Sequence, residues 1–363
     1  MIYLLIWISL SFLAAIDIFK ASKVGASRTK VIIVFIAFSF VLIFGLRGDV
    51  GTDYSSYENI FNRFSTGFKE PLFNLLIEIS KPFGFYFFIF IICLLTVFFW
   101  FSSCAALSPL PYLSILILFS NFFCYYGLSG IRQGLALSIV AYGVSLESKF
   151  FRTLCFAFAS LVHISALVSF SLPLASRLGV IAFAIFNALR TLRIPSFRLI
   201  SLSSLFYLPF VYFLYLFAIV YSSGKMFENV DYYQSLYSSG LVEFSLLNGI
   251  IVRLIPVFLF IFSVIFSSSD ADPLYRSPAF YWFYIYLFGL TIYIPLSFYS
   301  PEVAIRSSAY FTQFDFLLIP FSISLVNSFL NKAFIYFFAL AFAFISLSRY
   351  LNSPDYDYTF LLS

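Results

Sequence analysis

The sequence predicts an all-α protein that crosses a lipid bilayer many times, and three observations carry that expectation. Hydrophobic residues fill 62% of the 363 positions, charged residues only 10%, and mean hydropathy is +1.00. Soluble domains run at about 45–50% apolar and about 25% charged, so polar surface could not cover such a chain. Runs of roughly 20 apolar residues recur from end to end, the length at which a helix rising about 1.5 Å per residue matches the hydrocarbon thickness. Residues 1–363 are therefore expected to form a single transmembrane domain, a polytopic integral membrane protein of about twelve helices.

The first run, Ile2 to Phe19, has no basic segment ahead of it and ends in Asp17 and Lys20 rather than a small-residue cleavage site. It is expected to stay as a first helix. Further spans are predicted over 31–46, 84–104, 111–126, 131–147, 151–174, 178–190, 200–221, 244–266, 279–299, 309–328 and 333–350, with 72–82 as a re-entrant piece. Lys20, Lys23, Arg28 and Lys30 lie between the first two spans with no acid among them, and by the positive-inside rule that loop is cytoplasmic. Alternation then puts Lys149, Arg152, Arg276 and Lys332 inside. It puts the loops 47–70 and 222–243, and the segments 300–308 and beyond 350, outside. The stretch 188–199, with Arg190, Arg193 and Arg198, reads as an interfacial anchor to anionic lipid. Arg47, Arg132, Arg253 and Arg306 fall on the outer side against the rule, and they call for an explanation.

Several classes are excluded. The four cysteines (Cys93, Cys104, Cys124, Cys155) sit in or beside apolar runs without a CxxC pair, so they are expected to be small buried hydrophobes. A net charge of +5 spread over loops gives no basic patch for nucleic acid. No Walker loop, GxGxxG, HExxH or GxSxG motif occurs, and a nucleotide-sugar donor is not expected. Asp49, Asp53 and Glu58 have the oxygen chemistry for a hydrated divalent ion, but neither a metal nor another cofactor is expected.

The candidates for chemistry are few. Arg47, Gly51, Asp53, Tyr54 and Tyr57 open the first outer loop. Arg47 either grips a phosphate or pyrophosphate with its planar fork, or pairs with Asp49 or Asp53 to cap a helix end; Asp53 is a candidate base. Glu70 precedes Pro71, which marks a helix start complementing the dipole or a catalytic acid; Glu78 further along is expected to be buried. Arg132 and Gln133 stand at the outer end of a span whose Gly130 and Gly134 allow close approach. Arg132 either holds an anionic head group or snorkels to the interface. His163 is the single histidine, with Ser160 and Ala166 expected on its helical face. It either takes a proton from a hydroxyl or makes an interhelical hydrogen bond. Arg253 has no local acid, so an anionic ligand or a cross-helix carboxylate is expected for it. Arg306 has Glu302 four residues before it, the spacing of an ordinary helix pair. Tyr232, Tyr233 and Tyr237 suit sugar rings and membrane interfaces alike.

Taken in order, Arg47-x3-Gly51-x-Asp53-x3-Tyr57, Glu70-Pro71-Leu72-Phe73, Ile131-Arg132-Gln133, His163-x-Ser165 and Arg306 with Tyr310-Phe311 resemble the EpsG family, grouped with Wzy-type O-antigen and capsule polymerases. The likeness spans about 47–320, except 175–250. It implies a glycosyltransferase of the bacterial cytoplasmic (inner) membrane, active on its periplasmic or outer face. Donor and acceptor would be undecaprenyl-pyrophosphate-linked oligosaccharides, with a flippase and a chain-length regulator as partners. Arg47, Arg132 and Arg306 would hold pyrophosphate, with Gln133, Tyr57, Tyr310 and Arg253 as further binding candidates; Asp53 or His163 would be the base and Glu70 an additional candidate. An O-antigen ligase, a sugar O-acyltransferase and a lipid-linked oligosaccharide flippase remain the alternatives.

Overall fold

The computed structural model describes residues 1–19, 26–63, 70–175, 177, 246–267, 278–297, 300–351 and 353–360. Its helices are α1 (Ile2–Phe19), α2 (Ala26–Gly45), α3 (Tyr54–Arg63), α4 (Pro71–Ser80), α5 (Phe85–Leu107), α6 (Pro111–Leu118), α7 (Ile131–Ser145), α8 (Lys149–Val162), α9 (Leu246–Ile265), α10 (Pro278–Ser297), α11 (Pro301–Thr312), α12 (Asp315–Ser324) and α13 (Phe329–Leu351). α6 runs on as a π-helical stretch, Phe119–Gly127, and a 3₁₀ stretch, Ile164–Ser171, follows α8. Among the described residues six helices are long and apolar enough to cross a membrane: α1, α2, α5, α9, α10 and α13. The expected spans 178–190 and 200–221, the loop 222–243, the basic stretch 188–199 and Lys20, Lys23 and Arg276 lie outside the described residues.

The chain divides into two compact units, Met1–Phe170 with Asp315–Ser363, and Ser171–Phe314. In the first, α7 lies between α5 and α8 and is buried on nearly every face. α2 packs along α5, while α6 lies against α1 and α12, and α13 closes on α1 and the π-helical stretch. Phenylalanine supplies much of the interior. Phe40 meets Phe101 and Phe123 with ring centroids 5.1 and 5.4 Å apart, and Phe44 meets Phe123 at 5.0 Å, the offset and edge arrangements that aromatic quadrupoles favour. Phe12, Val34, Phe35 and Phe38 on α1 and α2 stand exposed, as lipid-facing side chains do. In the second unit, α10 packs against α9 and α11.

Two expected spans are broken. The run 151–174 is not one helix, because α8 ends at His163, whose backbone is extended (φ −152°, ψ 122°). The His163 carbonyl then accepts from the Ala166 amide at 2.9 Å to start the 3₁₀ stretch. Ser160 therefore turns its hydroxyl back to the Phe156 carbonyl on α8, and Ala166 belongs to a different element from His163. The run 309–328 is likewise interrupted after Thr312, and α12 begins afresh at Asp315. Pro320 inside α12 has no amide for the Phe316 carbonyl four residues back; the Ser114 hydroxyl of α6 donates to that carbonyl instead. Glu78, expected to be buried, is exposed. The expected piece 72–82 corresponds to the short helix α4, which begins at Pro71. Cys93, Cys104 and Cys124 are buried, Cys155 is partly so, and all four are free thiols.

Two glycines set the backbone that frames one end of the first unit. Gly51 has φ +108°, and a Cβ there would lie 2.4 Å from the Leu128 carbonyl oxygen. At Gly134 a Cβ would lie 2.0 Å from the Tyr126 carbonyl oxygen, so only glycine lets the π-helical stretch seat on α7. Gly134→Ala is expected to destabilise the purified protein by about 1–3 kcal/mol, read as a lowered midpoint of thermal unfolding in detergent. Gly130→Ala, whose nearest neighbour would be at 3.4 Å, should be much milder; equal midpoints for the two variants would contradict this packing.

Candidate functional site

The C-terminal end of α2, the N-terminal ends of α3, α4 and α7, and the C-terminal ends of the π-helical stretch and of α8 gather at one end of the first unit. Hydrogen bonds between these ends bring together residues that are far apart in the chain.

Glu70 is at the centre. It takes the N-cap position of α4, and its carbonyl accepts from the Asn74 amide at 3.1 Å. Its side chain makes no capping bond, so the helix-start reading accounts for Pro71 but not for the carboxylate. One carboxylate oxygen, Oε2, accepts from Arg132 Nη1 at 2.8 Å, and the other, Oε1, meets His163 Nδ1 at 2.5 Å. The Glu70 side chain is 7% exposed, His163 14% and Arg132 24%: shielded, yet within reach from outside. Burial pushes the Glu70 carboxyl up, but the His163 hydrogen bond and the Arg132 charge outweigh it and hold the group below its usual value. It is therefore ionised at neutral pH. With Nδ1 turned to Glu70, Nε2 is the histidine nitrogen left for another partner.

Arg132 sits in the first turn of α7, the wrong end of the helix dipole for a cation. The Glu70 carboxylate answers that placement, and aromatic rings flank the cation. The Arg132 guanidinium carbon lies 5.7 Å from the ring centroids of both Tyr57 and Phe73, within the range of cation–π attraction. Tyr57 is buried on α3 and Phe73 on α4, so two short amphipathic helices serve as the walls of the cluster. Burial raises the Tyr57 phenol above its usual value, so it stays a neutral hydroxyl. Gln133, beside Arg132, is buried on α7.

Arg47 goes elsewhere. It is 2% exposed, and its Nη1 donates to the Phe44 and Gly127 carbonyls at 3.2 and 3.1 Å while Nη2 donates to Leu128 at 3.0 Å. Those carbonyls are the open ends of α2 and of the π-helical stretch, where a cation suits the dipole. Burial lowers its pKa. Neither expected pairing, with Asp49 or with Asp53, forms among the described residues, and the geometry fits a clasp on two helix ends rather than an open phosphate grip. Asp53 precedes α3: its carbonyl accepts from the Tyr57 amide at 3.0 Å, and its carboxylate accepts from the Thr52 hydroxyl at 3.3 Å. It bonds to none of Glu70, Arg132 and His163.

Arg253, Arg306 and Tyr310 belong to the second unit. The Arg253 guanidinium stacks 3.9 Å over the Tyr293 ring and donates to the Gly249 carbonyl at 3.1 Å. Arg306 forms the expected pair with Glu302, one helical turn away on α11, and Tyr310 is fully buried. Among the described residues no three of His, Cys, Asp and Glu gather as a metal site. Sequence reasoning passed over Ser129, Thr52 and Tyr356, which link to one another at this same end. It also passed over Asp315, which is buried on α12 and accepts from Asn121 Nδ2 in the π-helical stretch at 2.7 Å. For Asp315 a signal existed, a lone acid in an apolar run; for the other three there was none.

No curated protein and no solved structure matches the chain. The model of the EpsG family matches residues 30–361, nearly its whole length and every residue of the cluster above. This multi-pass helical chain belongs to the EpsG family, a family like the Wzy-type polysaccharide polymerases.

Proposed function

We propose that the chain is a polysaccharide repeat-unit polymerase, a glycosyltransferase that joins undecaprenyl-pyrophosphate-linked oligosaccharides on the periplasmic or outer face of the cytoplasmic membrane. The observation that carries this reading is the Glu70 carboxylate, which holds a histidine and an arginine side by side. Transfer from a lipid pyrophosphate needs a base for the incoming hydroxyl and a cation for the leaving group, and the cluster supplies one of each. Its placement opposite Arg28 and Lys30, at the other end of α2 from Arg47, supports an outer location under the positive-inside rule.

In the proposed reaction an acceptor hydroxyl oxygen attacks the anomeric carbon of the donor sugar. Its proton passes to His163 Nε2, while Glu70 holds Nδ1–H and so fixes the tautomer and ring orientation. The bond from the anomeric carbon to the pyrophosphate oxygen breaks, and the lipid pyrophosphate leaves with the electron pair towards Arg132. Tyr57 orients Arg132. Arg47 shapes the site from beneath, and Asp53 starts α3. Gln133 is a neighbouring donor to the glycan. In the second unit Arg253 is a separate candidate anion contact, and Arg306 and Tyr310 support α11. A flippase would deliver the acceptor and a chain-length regulator would set the stopping point.

His163→Ala and Arg132→Ala are each expected to lower the polymerisation rate, by about 10²–10⁴-fold and 10²–10³-fold respectively, so that single-repeat lipid-linked material accumulates and long glycans vanish from gels. Arg132→Lys should recover little, since a point charge cannot bond Glu70 and a pyrophosphate in the fork geometry. Long chains retained in both alanine variants would sink the reading. Normal polymer that is no longer attached to its final acceptor would point to a ligase, and lost transport of repeats into vesicles to a flippase.

Glu70 also makes a pH prediction. Its folded pKa is depressed, so the stability it contributes is present above the unfolded glutamate value of about 4.3 and disappears as pH falls through the lower folded value. Wild-type protein should therefore melt above Glu70→Gln at neutral pH, with the gap narrowing as pH is lowered through and below about 4. A gap that widens on acidification would contradict the ionised assignment.

A further inference from the structure

We propose that the segment Ser353–Phe360, which follows α13, is a strap that positions the Arg132–Tyr57 side of the site. The inference rests on the catalytic reading above for its functional half only.

The strap runs across the loop that joins α2 to α3. The Gly48 amide donates to the Thr359 carbonyl at 2.9 Å and the Gly51 amide to the Asp355 carbonyl at 2.7 Å. Arg47 and Phe360 form an isolated antiparallel bridge between them. These are two-sided needs. Gly51 has a left-handed backbone pressed against the Leu128 carbonyl, so its amide points away from α7 and requires an acceptor from elsewhere. A Cβ on Gly48 would lie 2.7 Å from Thr359 Oγ1, so the strap and the loop are packed backbone to backbone.

A side-chain relay then leads to the site. The Tyr356 hydroxyl and Ser129 Oγ share a hydrogen bond of 2.7 Å, and Ser129 Oγ accepts from the Thr52 amide at 3.0 Å. Ser129 stands three residues before Arg132, at the entry to α7. Thr52 stands two before α3, the helix that carries Tyr57. One hydroxyl pair thus sets the entry of both helices whose side chains meet at the site, the Arg132 guanidinium 5.7 Å from the Tyr57 ring centroid. Tyr356 is 5% exposed, with its ring 4.9 Å from that of Tyr350 on α13, and the Tyr358 hydroxyl donates to the Ile43 carbonyl near the end of α2. The strap is fastened at both ends of its tyrosine pair. The family match runs to residue 361, ten residues past the end of α13 at Leu351, so the segment lies within the matched region.

The test reads hydrogen exchange, which does not depend on the reaction. Tyr356→Phe keeps the ring and removes only the hydroxyl that meets Ser129. In the full-length protein in detergent it is expected to speed amide exchange roughly two- to tenfold in peptides covering 47–57 and 129–134, and to leave α9–α11 and the cytoplasmic half of α5 unchanged. Ser129→Ala should do the same, and the double variant should add little to either, because both remove one relay. In membranes the three variants should lose polymerisation rate to a common extent, with repeat-unit affinity little changed. Unaltered exchange in 47–57, a uniform rise throughout the protein, or additive effects of the two substitutions would each overturn the strap. If His163→Ala leaves polymer intact while these exchange effects appear, the polymerase reading fails and the strap stands.

Discussion

The site depends on one carboxylate. Glu70 lies at a helix start where Pro71 already supplies the right backbone angle, and its side chain is spent on Arg132 and His163 instead of on the helix. Each partner comes with its own electrostatic position. Arg132 opposes the dipole at the first turn of α7, whereas His163 stands at the C-cap of α8. Removing the carboxylate would leave a cation at an unfavourable helix end and an imidazole without an orienting partner, in a place with little water to compensate either. That is why the ends of α4, α7 and α8 converge there, and why α8 stops where it does.

The outer arginines divide into two kinds of work. Arg47 is enclosed, and both its terminal nitrogens donate to carbonyls at two helix ends, so it joins α2 to the π-helical stretch much as a disulfide joins strands in a secreted domain. Arg132 is held by a carboxylate and two aromatic rings and remains partly open. A ring of neutral carbonyls around one and a carboxylate beside the other thus separate two arginines that look alike in sequence.

The sequence made the long spans legible, because α1, α2, α5, α9, α10 and α13 are predominantly apolar over about a bilayer's length. The breaks at His163 and Gln313 were not, since neither carries a proline or glycine at the break; α8 ends at the residue that bonds Glu70 across the fold, and Pro320 lies several residues past the other break. For the site, charge in an apolar context was enough to single out Arg132, His163, Glu70 and Tyr57 one by one. Their meeting was not legible, because Glu70 is 62 residues from Arg132 and 93 from His163. Arg47 and Asp53 looked alike in sequence to the residues that do meet, and only burial and carbonyl partners separate them. The Tyr356–Ser129–Thr52 relay uses residue types too common to carry any local signal.

The brevity of α7 and α8 has a mechanical consequence. At 15 and 14 residues they span only about 22 Å, against a hydrocarbon layer of about 30 Å. Enclosed on nearly every face by α5 and α8, α7 presents that shorter length to protein. Arg132 and His163 lie at the shortened ends of those helices. The two helices stop short at the same end, and there a single carboxylate reaches both side chains.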